Sequence, residues 1–152
     1  MLDIYEMPAH LIRRLNQASV SLFMENTTSR GYDLTPVQYG ALIAIGDRPG
    51  LDQATLASNL AHDRVTIGGV IDRLVLKNFV RREVSPTDRR ARELFLTAEG
   101  LAIIEKVRPI MHELQDLLLQ GLDASERTMF VQMLQKATDA VNDRSRAPLR
   151  FT

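Results

Sequence analysis

The chain of 152 residues contains no cysteine. That excludes disulfides, thiolate metal sites and cysteine-based redox sensing together, and it is compatible with a reducing compartment. Long apolar runs are missing too. No segment approaches the roughly 18 apolar residues needed to span a bilayer, and the N-terminal MLDIYEMPAHLIRR carries acids first, unlike a signal peptide. There are no internal repeats or low-complexity tracts. There is no glycine-rich phosphate loop, no nucleophile paired with a base and no cluster at metal-ligand spacing, so nothing supports an enzyme, a cofactor or a metal centre. His112 with Asp116 at i+4 is half a metal site with no converging third ligand, and a surface pair is the simpler reading. What remains is a soluble, cytoplasmic protein with no membrane partner. Its 45% apolar and 25% charged residues suit one domain.

Net charge is absent as well, but its distribution is uneven. From His62 to Arg92 there are eight Lys/Arg against four Asp/Glu, while the rest of the chain carries 11 basic and 15 acidic groups. A basic segment within an acidic remainder fits one surface meeting a polyanion, or a merely solvated face.

Apolar periodicity predicts the elements. Leu11, Leu15, Ala18 and Leu22 form one stripe of a first helix from Met7 to about Ser29. Thr35, Pro36 and Gln38 combine an N-cap, a first-turn proline and a capping-box partner for a second helix ending near Asp47. Asp52 caps a short third helix, QATLASNL, and Asp63 caps a fourth from Arg64 to about Lys77 with Ile67, Val70, Ile71 and Leu74 inward. Two helices joined by the three-residue break AHD have the spacing of a helix-turn-helix. FVRREV and RELFLT then alternate apolar and charged residues around the turn SPTD, which predicts a β-hairpin with Arg89 and Arg90 in its loop. Thr97 caps a fifth helix to about Gln120, bent near Pro109. Asp123 and Glu126 open a sixth helix to about Asn142. The tail RSRAPLRFT is ordered only if it finds a partner surface. The methionines at 7, 24, 111, 129 and 133 are core or interface fillers.

A helix-turn-helix followed by an arginine-tipped hairpin is a winged helix. The fourth helix presents Arg64, Val65, Thr66, Gly68, Gly69, Asp72 and Arg73 away from its buried stripe, and a major groove admits one such helix. Arginine suits phosphate or guanine, and the Thr66 methyl suits thymine. Each glycine of the Gly68-Gly69 pair costs about 0.5–1 kcal/mol inside a helix, which a close backbone approach to DNA or to another helix would offset. Arg89 and Arg90 are placed to enter a narrow minor groove. Asp88 holds an arginine in its working rotamer, and Arg81, Arg82 and Arg92 are placed to meet phosphates.

The order LTPVQYGAL, LDQATLASNL, DRVTIGGVIDRLVLKNFVRREVSPTDRRARELFLTAEG resembles the MarR family of bacterial transcription regulators. Asp88, Arg90, Leu94, Leu96, Thr97 and Gly100 match its wing signature, Asp-x-Arg-x-x-x-Val-x-Leu-Thr-x-x-Gly, with Leu94 in place of valine. The resemblance covers nearly the whole chain. It implies a mainly α fold with a small β-hairpin. The winged helix-turn-helix lobe would span 34–97 with its wing at 80–96, flanked by dimerisation helices at 7–30 and 98–145. Arg90 would be the minor-groove arginine, Asp88 its orienting partner, and His62 through Thr66 the opening of the recognition helix. Members are homodimers on pseudo-palindromic double-stranded DNA operators, most often repressors. The apolar LQDLLLQGL agrees with an interface, and two-fold symmetry sets half-sites one helical turn apart.

Many relatives bind small aromatic acids between the dimer helices and the winged lobe. His10, Arg14, Gln17 and Ser21 form a second, polar stripe on the first helix, bordered by Arg13, with Tyr39 on the second helix placed to face it. Arginine with histidine suits a carboxylate and tyrosine an aromatic ring; a polar dimer face is the alternative. HLIRRLNQASVSLF and DRVTIGGVIDRL resemble relatives that control aromatic-acid and nicotinate catabolism. The expected function is a repressor released by a small aromatic or heteroaromatic acid. The alternative is a ligand-independent winged-helix module for DNA or protein binding.

Overall fold

A computed structural model describes residues 3–151; Met1, Leu2 and Thr152 lie outside the described residues. Each main helix except the first begins where a side chain caps the free amides. Asp3 caps a 3-10 turn at Ile4–Glu6 that leads into α1, Pro8–Thr28. At α2, Pro36–Asp47, the Thr35 hydroxyl accepts from the Gln38 amide while the Gln38 side chain accepts from the Thr35 amide. Asp52 and Asp63 cap α3, Gln53–Asn59, and α4, Arg64–Leu76. Thr97 caps α5, Ala98–Leu118, and Asp123 with Glu126 boxes the start of α6, Ala124–Ala140. α5 continues as one element across the exposed Pro109. These boundaries follow the sequence expectations to within a few residues.

β1, Val80–Val84, pairs antiparallel with β2, Arg92–Leu96, placing Val80 opposite Leu96 and Val84 opposite Arg92. The sheet has an attachment that the sequence pattern did not reveal. The Gly50 amide donates to the Leu94 carbonyl at 2.8 Å, the Leu94 amide donates to the Leu51 carbonyl at 3.0 Å, and Asp52 bridges to Glu93. The segment entering α3 is thereby hydrogen-bonded to the wing. Gly50 sits at φ +85°, where an L side chain is strained.

The core lies under this attachment. Leu42 and Ile45 of α2, Leu56 of α3, Ile67, Ile71 and Leu74 of α4, Leu94 of β2 and Val107 of α5 are all fully buried. Burial of such side chains contributes about 1.5–3 kcal/mol each, which holds the helix-turn-helix and the wing as one body. α1 packs along α5 through Phe23 and the buried Thr27, whose hydroxyl donates to the Phe23 carbonyl at 2.8 Å. α6 is different, because none of its residues is buried. After α6 and a 3-10 turn at Asn142–Arg144, the tail folds back. Its partner surface is α3 of the same chain, where the Arg150 amide donates to the Ser58 carbonyl at 3.0 Å.

Gly100, in the first turn of α5, faces the backbone so closely that a Cβ there would stand 2.1 Å from the Phe79 carbonyl oxygen. Neither backbone can yield without breaking the Thr97 cap beside it. Gly100→Ala is therefore expected to lower stability by about 1–3 kcal/mol, the cost of overpacking. Denaturant unfolding measures this, and wild-type stability would refute the close approach.

Candidate nucleic-acid interface

The exposed end of α4 is built by its cap. Asp63 Oδ1 accepts the Thr66 amide at 2.8 Å and Asp63 Oδ2 accepts the Thr66 hydroxyl at 2.7 Å. The Thr66 hydroxyl and amide together hold the Asp63 carboxyl below the usual carboxylate range. The hydroxyl proton of Thr66 is committed to the cap, so its methyl and oxygen lone pairs are what remain for a partner. The same device recurs at α3. Burial acts to raise the Asp52 carboxyl, but the hydrogen bonds from the Thr55 amide and hydroxyl outweigh it and leave it lowered. His62, Arg64, Val65 and Thr66 are exposed, Val65 at 87% despite being apolar. Arg73 and Asp72 emerge further along the same side.

Gly68 and Gly69 do not serve core packing. A Cβ on Gly69 would meet nothing within 4 Å, and one on Gly68 would lie 3.5 Å from the Gln53 side chain, an ordinary contact. Of the two offsets open to a mid-helix glycine pair, a tight helix–helix contact is absent at Gly69. The surface there is open.

At the wing, Asp88 acts on backbone rather than on a guanidinium. Its Oδ1 accepts the Arg90 amide at 2.9 Å and its carbonyl accepts the Ala91 amide at 3.0 Å. Ser85, nearly buried, shares a hydrogen bond with Thr87 and closes the turn to Ala91. Asp88 thus sets the direction of Arg90 through the loop, an Asx-type turn. The strand arginines are also committed locally, unlike the phosphate-facing arrangement expected from their alternation. Arg81 stacks over the Phe95 ring at 4.5 Å and pairs with Glu83. Arg82 donates to Asp72 of α4 at 2.6 Å, tying wing to helix. Arg92 donates to the Arg89 carbonyl at 3.0 Å, bracing the loop from below.

The side chains of Arg64, Arg73, Arg89 and Arg90 form no ion pair among the described residues, and all four are exposed. Arg64 of α4 and Arg90 of the wing line one cleft of about 430 Å³ together with Asp52, Gln53, Asp88 and Arg92. Helix end and wing tip therefore bring two arginines without ion-pair partners among the described residues to a shared space.

The polar stripe of α1 does not converge with Tyr39. The Tyr39 ring packs 6.3 Å from Phe23, half-buried, and burial pushes its hydroxyl above the usual range against the pull of Arg108. Phe23 lies about two and a half helical turns beyond Arg14, so the two point to opposite sides of α1. His10 sits edge-on to Tyr5, ring centroids 5.9 Å apart, and is roughly 20 Å of helix rise away from Phe23. Arg13 and Gln17 bond to each other at 2.9 Å. They share a face of α1 with Asn16 and Val20, at i+3, i+4 and i+7 from Arg13. Asn16 and Val20 form one wall of an open cleft of about 450 Å³, completed by Val37 and Gly40 of α2 and by Leu60 and His62 of the α3–α4 turn. Sequence periodicity missed this cleft because its walls come from three elements and no residue of the predicted stripe lines it; Gln17 and the bordering Arg13 share only the α1 face of Asn16 and Val20. Asp116, weighed above beside His112, is paired with Arg127 of α6 at 2.8 Å. Among the described residues no group of three or more potential metal ligands gathers, and no helix is long and apolar enough to cross a membrane.

Comparison with known proteins agrees with this geometry. The MarR family model matches residues 32–91, from the loop before α2 to the wing tip. The HTH-type transcriptional repressor NicR of Pseudomonas putida is 30% identical over 138 residues, covering 91% of this chain and 86% of NicR. Among solved structures, the PcaV transcriptional regulator of Streptomyces coelicolor, in complex with its natural ligand, superposes with a TM-score of 0.85 at 31% identity, covering 93% of this chain and 98% of that one. BpsR of Bordetella bronchiseptica, whose DNA binding is regulated by 6-hydroxynicotinic acid, superposes with a TM-score of 0.85 at 29% identity over 91% of this chain and 98% of that one. A helix-turn-helix with an arginine-tipped wing, matched over nearly its whole length by such regulators, is a non-enzymatic DNA-binding protein. The chain belongs to the MarR family of transcriptional regulators.

Proposed function

We propose that this regulator is a repressor that binds a pseudo-palindromic operator as a homodimer and is released by a small aromatic or heteroaromatic carboxylate. The observation that carries the DNA reading is the set of four exposed, unpaired arginines on α4 and the wing tip of a chain with no net charge. α4 lies in the major groove with Arg64, Thr66 and Arg73 toward the bases, and open Gly69 lets the helix backbone approach. Arg90, aimed by Asp88, enters the adjacent minor groove with Arg89 beside it. Arg82 braces wing against α4, and His62 adjoins the reading end.

Homodimerisation is supported by what one chain leaves uncovered. Ile12 of α1, Leu117 of α5, and Met129, Val131 and Met133 of α6 are exposed large apolar side chains. The same three helices form an apolar groove lined by Leu11, Ile12, Leu15, Leu118, Phe130 and Leu134. Exposed apolar surface of this extent marks an interface. A two-fold through it presents two reading helices to half-sites about one helical turn apart.

The ligand reading is supported by the cleft between α1, α2 and the α3–α4 turn. An aromatic ring fits between Val20, Val37 and Leu60, and Arg13, on the α1 face that carries Asn16 and Val20, supplies a guanidinium for its carboxylate. His62 belongs both to this wall and to the turn that leads into the Asp63 cap. A ligand pressing there acts on the start of the reading helix. Similarity to PcaV, solved with its natural ligand, and to BpsR, regulated by 6-hydroxynicotinic acid, supports a small-molecule ligand for this chain.

The test is binding to the protein's own upstream intergenic duplex at two salt concentrations, with and without a panel of aromatic carboxylates. Selective, salt-sensitive binding released by one acid is expected. Selective binding indifferent to every acid would leave a ligand-independent winged-helix DNA binder and return the Arg13–Gln17 pair to the dimer face.

Arg90→Ala is expected to weaken binding at least about tenfold, ~1.4 kcal/mol, with the dimer intact; unchanged affinity at fixed salt removes the wing from the interface. Asp88→Ala, which frees the Arg90 amide, is expected to cost about fivefold, the ~1 kcal/mol of one hydrogen bond. Asp88→Asn keeps that acceptor and should bind at least as well as wild type. Equal losses in both variants would show that charge, not the turn, is what Asp88 supplies. Arg13→Ala should abolish release by the acid while sparing DNA binding, and a persisting response would place the ligand elsewhere.

A further inference from the structure

Residues 142–150 form a closed loop rather than a trailing end. The Asn142 side chain donates to the Leu149 carbonyl at 3.1 Å and accepts the Leu149 amide at 2.8 Å. Ser145 Oγ accepts the Ala147 amide at 3.2 Å. Beyond the closure, the Arg150 amide reaches the Ser58 carbonyl of α3 at 3.0 Å, so the loop is docked on the helix-turn-helix. Its charges are sorted. Arg150 pairs with Asp143 at 2.7 Å, which cancels the loop's one acid and leaves Arg144 and Arg146 exposed with no ion pair among the described residues.

The docking site brings that charge to a particular place. Ser145, Arg146 and Ala147 form one side of an open groove of about 620 Å³, and Ala61, His62 and Asp63 form the other. Those three residues are the α3–α4 turn and the cap of the reading helix. Arg146 does not pair with Asp63 across the groove; the Asp63 carboxylate is turned into its own helix by Thr66. The groove thus has a free guanidinium and an exposed imidazole on its rim, next to the end of α4 that carries Arg64. In a helix-turn-helix the N-terminal end of the second helix meets the base edges, and the phosphates flanking the groove pass the turn.

From this placement we infer that the C-terminal loop is a further DNA-contacting element, with Arg146, assisted by Arg144, binding operator phosphates beside the α3–α4 turn. The inference rests on the DNA-binding reading above. It gives each half-site two basic clamps, the wing on one side of α4 and the C-terminal loop on the other. A phosphate contact adds affinity without sequence information, and neutralising one phosphate contributes about one unit to the slope of log affinity against log salt.

The experiment compares wild type, Arg146→Ala, Arg144→Ala/Arg146→Ala and Arg90→Ala on two labelled duplexes, the upstream intergenic sequence and a scrambled sequence of equal length, across a salt series. Both loop residues are exposed and make no core contact, so the variants keep the fold. Arg146→Ala is expected to bind both duplexes about three- to tenfold more weakly, with a salt slope shallower by about one and an unchanged ratio between the two duplexes. The double variant should lose more. Unchanged affinity and slope for the loop variants would overturn the inference. A loss of affinity with an unchanged slope would overturn it too, making the loop a brace for α3 instead of a phosphate ligand. Arg90→Ala separates the two failures: if it weakens binding while the loop variants do not, only the loop contact falls, and if neither does, the DNA face itself is misplaced.

Discussion

Thr97 stands where the end of α4, the wing and the start of α5 meet. Its amide donates to the Phe79 carbonyl at 3.1 Å, its hydroxyl donates to the Asn78 carbonyl at 2.6 Å, and the same oxygen accepts the Gly100 amide at 3.0 Å. One residue thereby ends β2, starts α5 and holds the end of α4, where Asn78 sits at φ 58° to turn the chain into β1. α5 leads directly to the apolar surface shared with α1 and α6, and the hydrogen bonds at Thr97 join its start to the end of α4 and to β2. The bond from Gly50 to Leu94, in the middle of β2, ties the segment before α3 to the same sheet. These two fixings join the helix-turn-helix and the wing through backbone hydrogen bonds.

The arginines divide into those that build the face and those that the face presents. Arg81, Arg82 and Arg92 are occupied by Phe95 and Glu83, by Asp72, and by the Arg89 carbonyl. Their exposed ion pairs contribute little stability singly, but they fix where the wing stands relative to α4. Arg64, Arg73, Arg89 and Arg90 have no such occupation, and a polyanion meeting them displaces only water and counterions. This is how a chain with no net charge offers a basic surface. Asp63 and Asp88, both acids on that surface, spend their lone pairs on amides at the start of α4 and in the wing loop, so they shape it.

The fold was legible in the sequence because its signals are local. Thr35-Pro36 with Gln38, Asp52, Asp63 and Asp123 with Glu126 each declare a helix start locally, and the change of period after Asn78 declares the hairpin. What the sequence did not disclose is non-local. The pairing of Gly50–Asp52 with β2 joins segments some forty residues apart, and nothing in RPGLD alternates enough to suggest a strand. The docking of the C-terminal loop on Ser58 depends on where α6 ends in space. Among candidate site residues the exposed set on α4 was readable, since exposure follows from helical spacing. The side-chain roles of Asp88, Arg81 and Arg92 were not, because whether an arginine faces outward or stacks on Phe95 is settled by cross-strand neighbours. The cleft beside Arg13 was missed for the same reason: Asn16, Val37, Leu60 and His62 come together only when three helices pack.

The central claim is that α4 and the wing occupy different grooves of one DNA half-site, and the missing cysteines make a direct test available. Arg89→Cys introduces a unique thiol at the wing tip, to which an iron–EDTA group can be tethered for cleavage of the bound intergenic duplex. Cuts on the two strands displaced toward their 3′ sides, the pattern of a radical source in the minor groove, repeated symmetrically about the operator centre, are the predicted result. Cuts displaced toward the 5′ sides, or none above background while the protein remains bound, would contradict it.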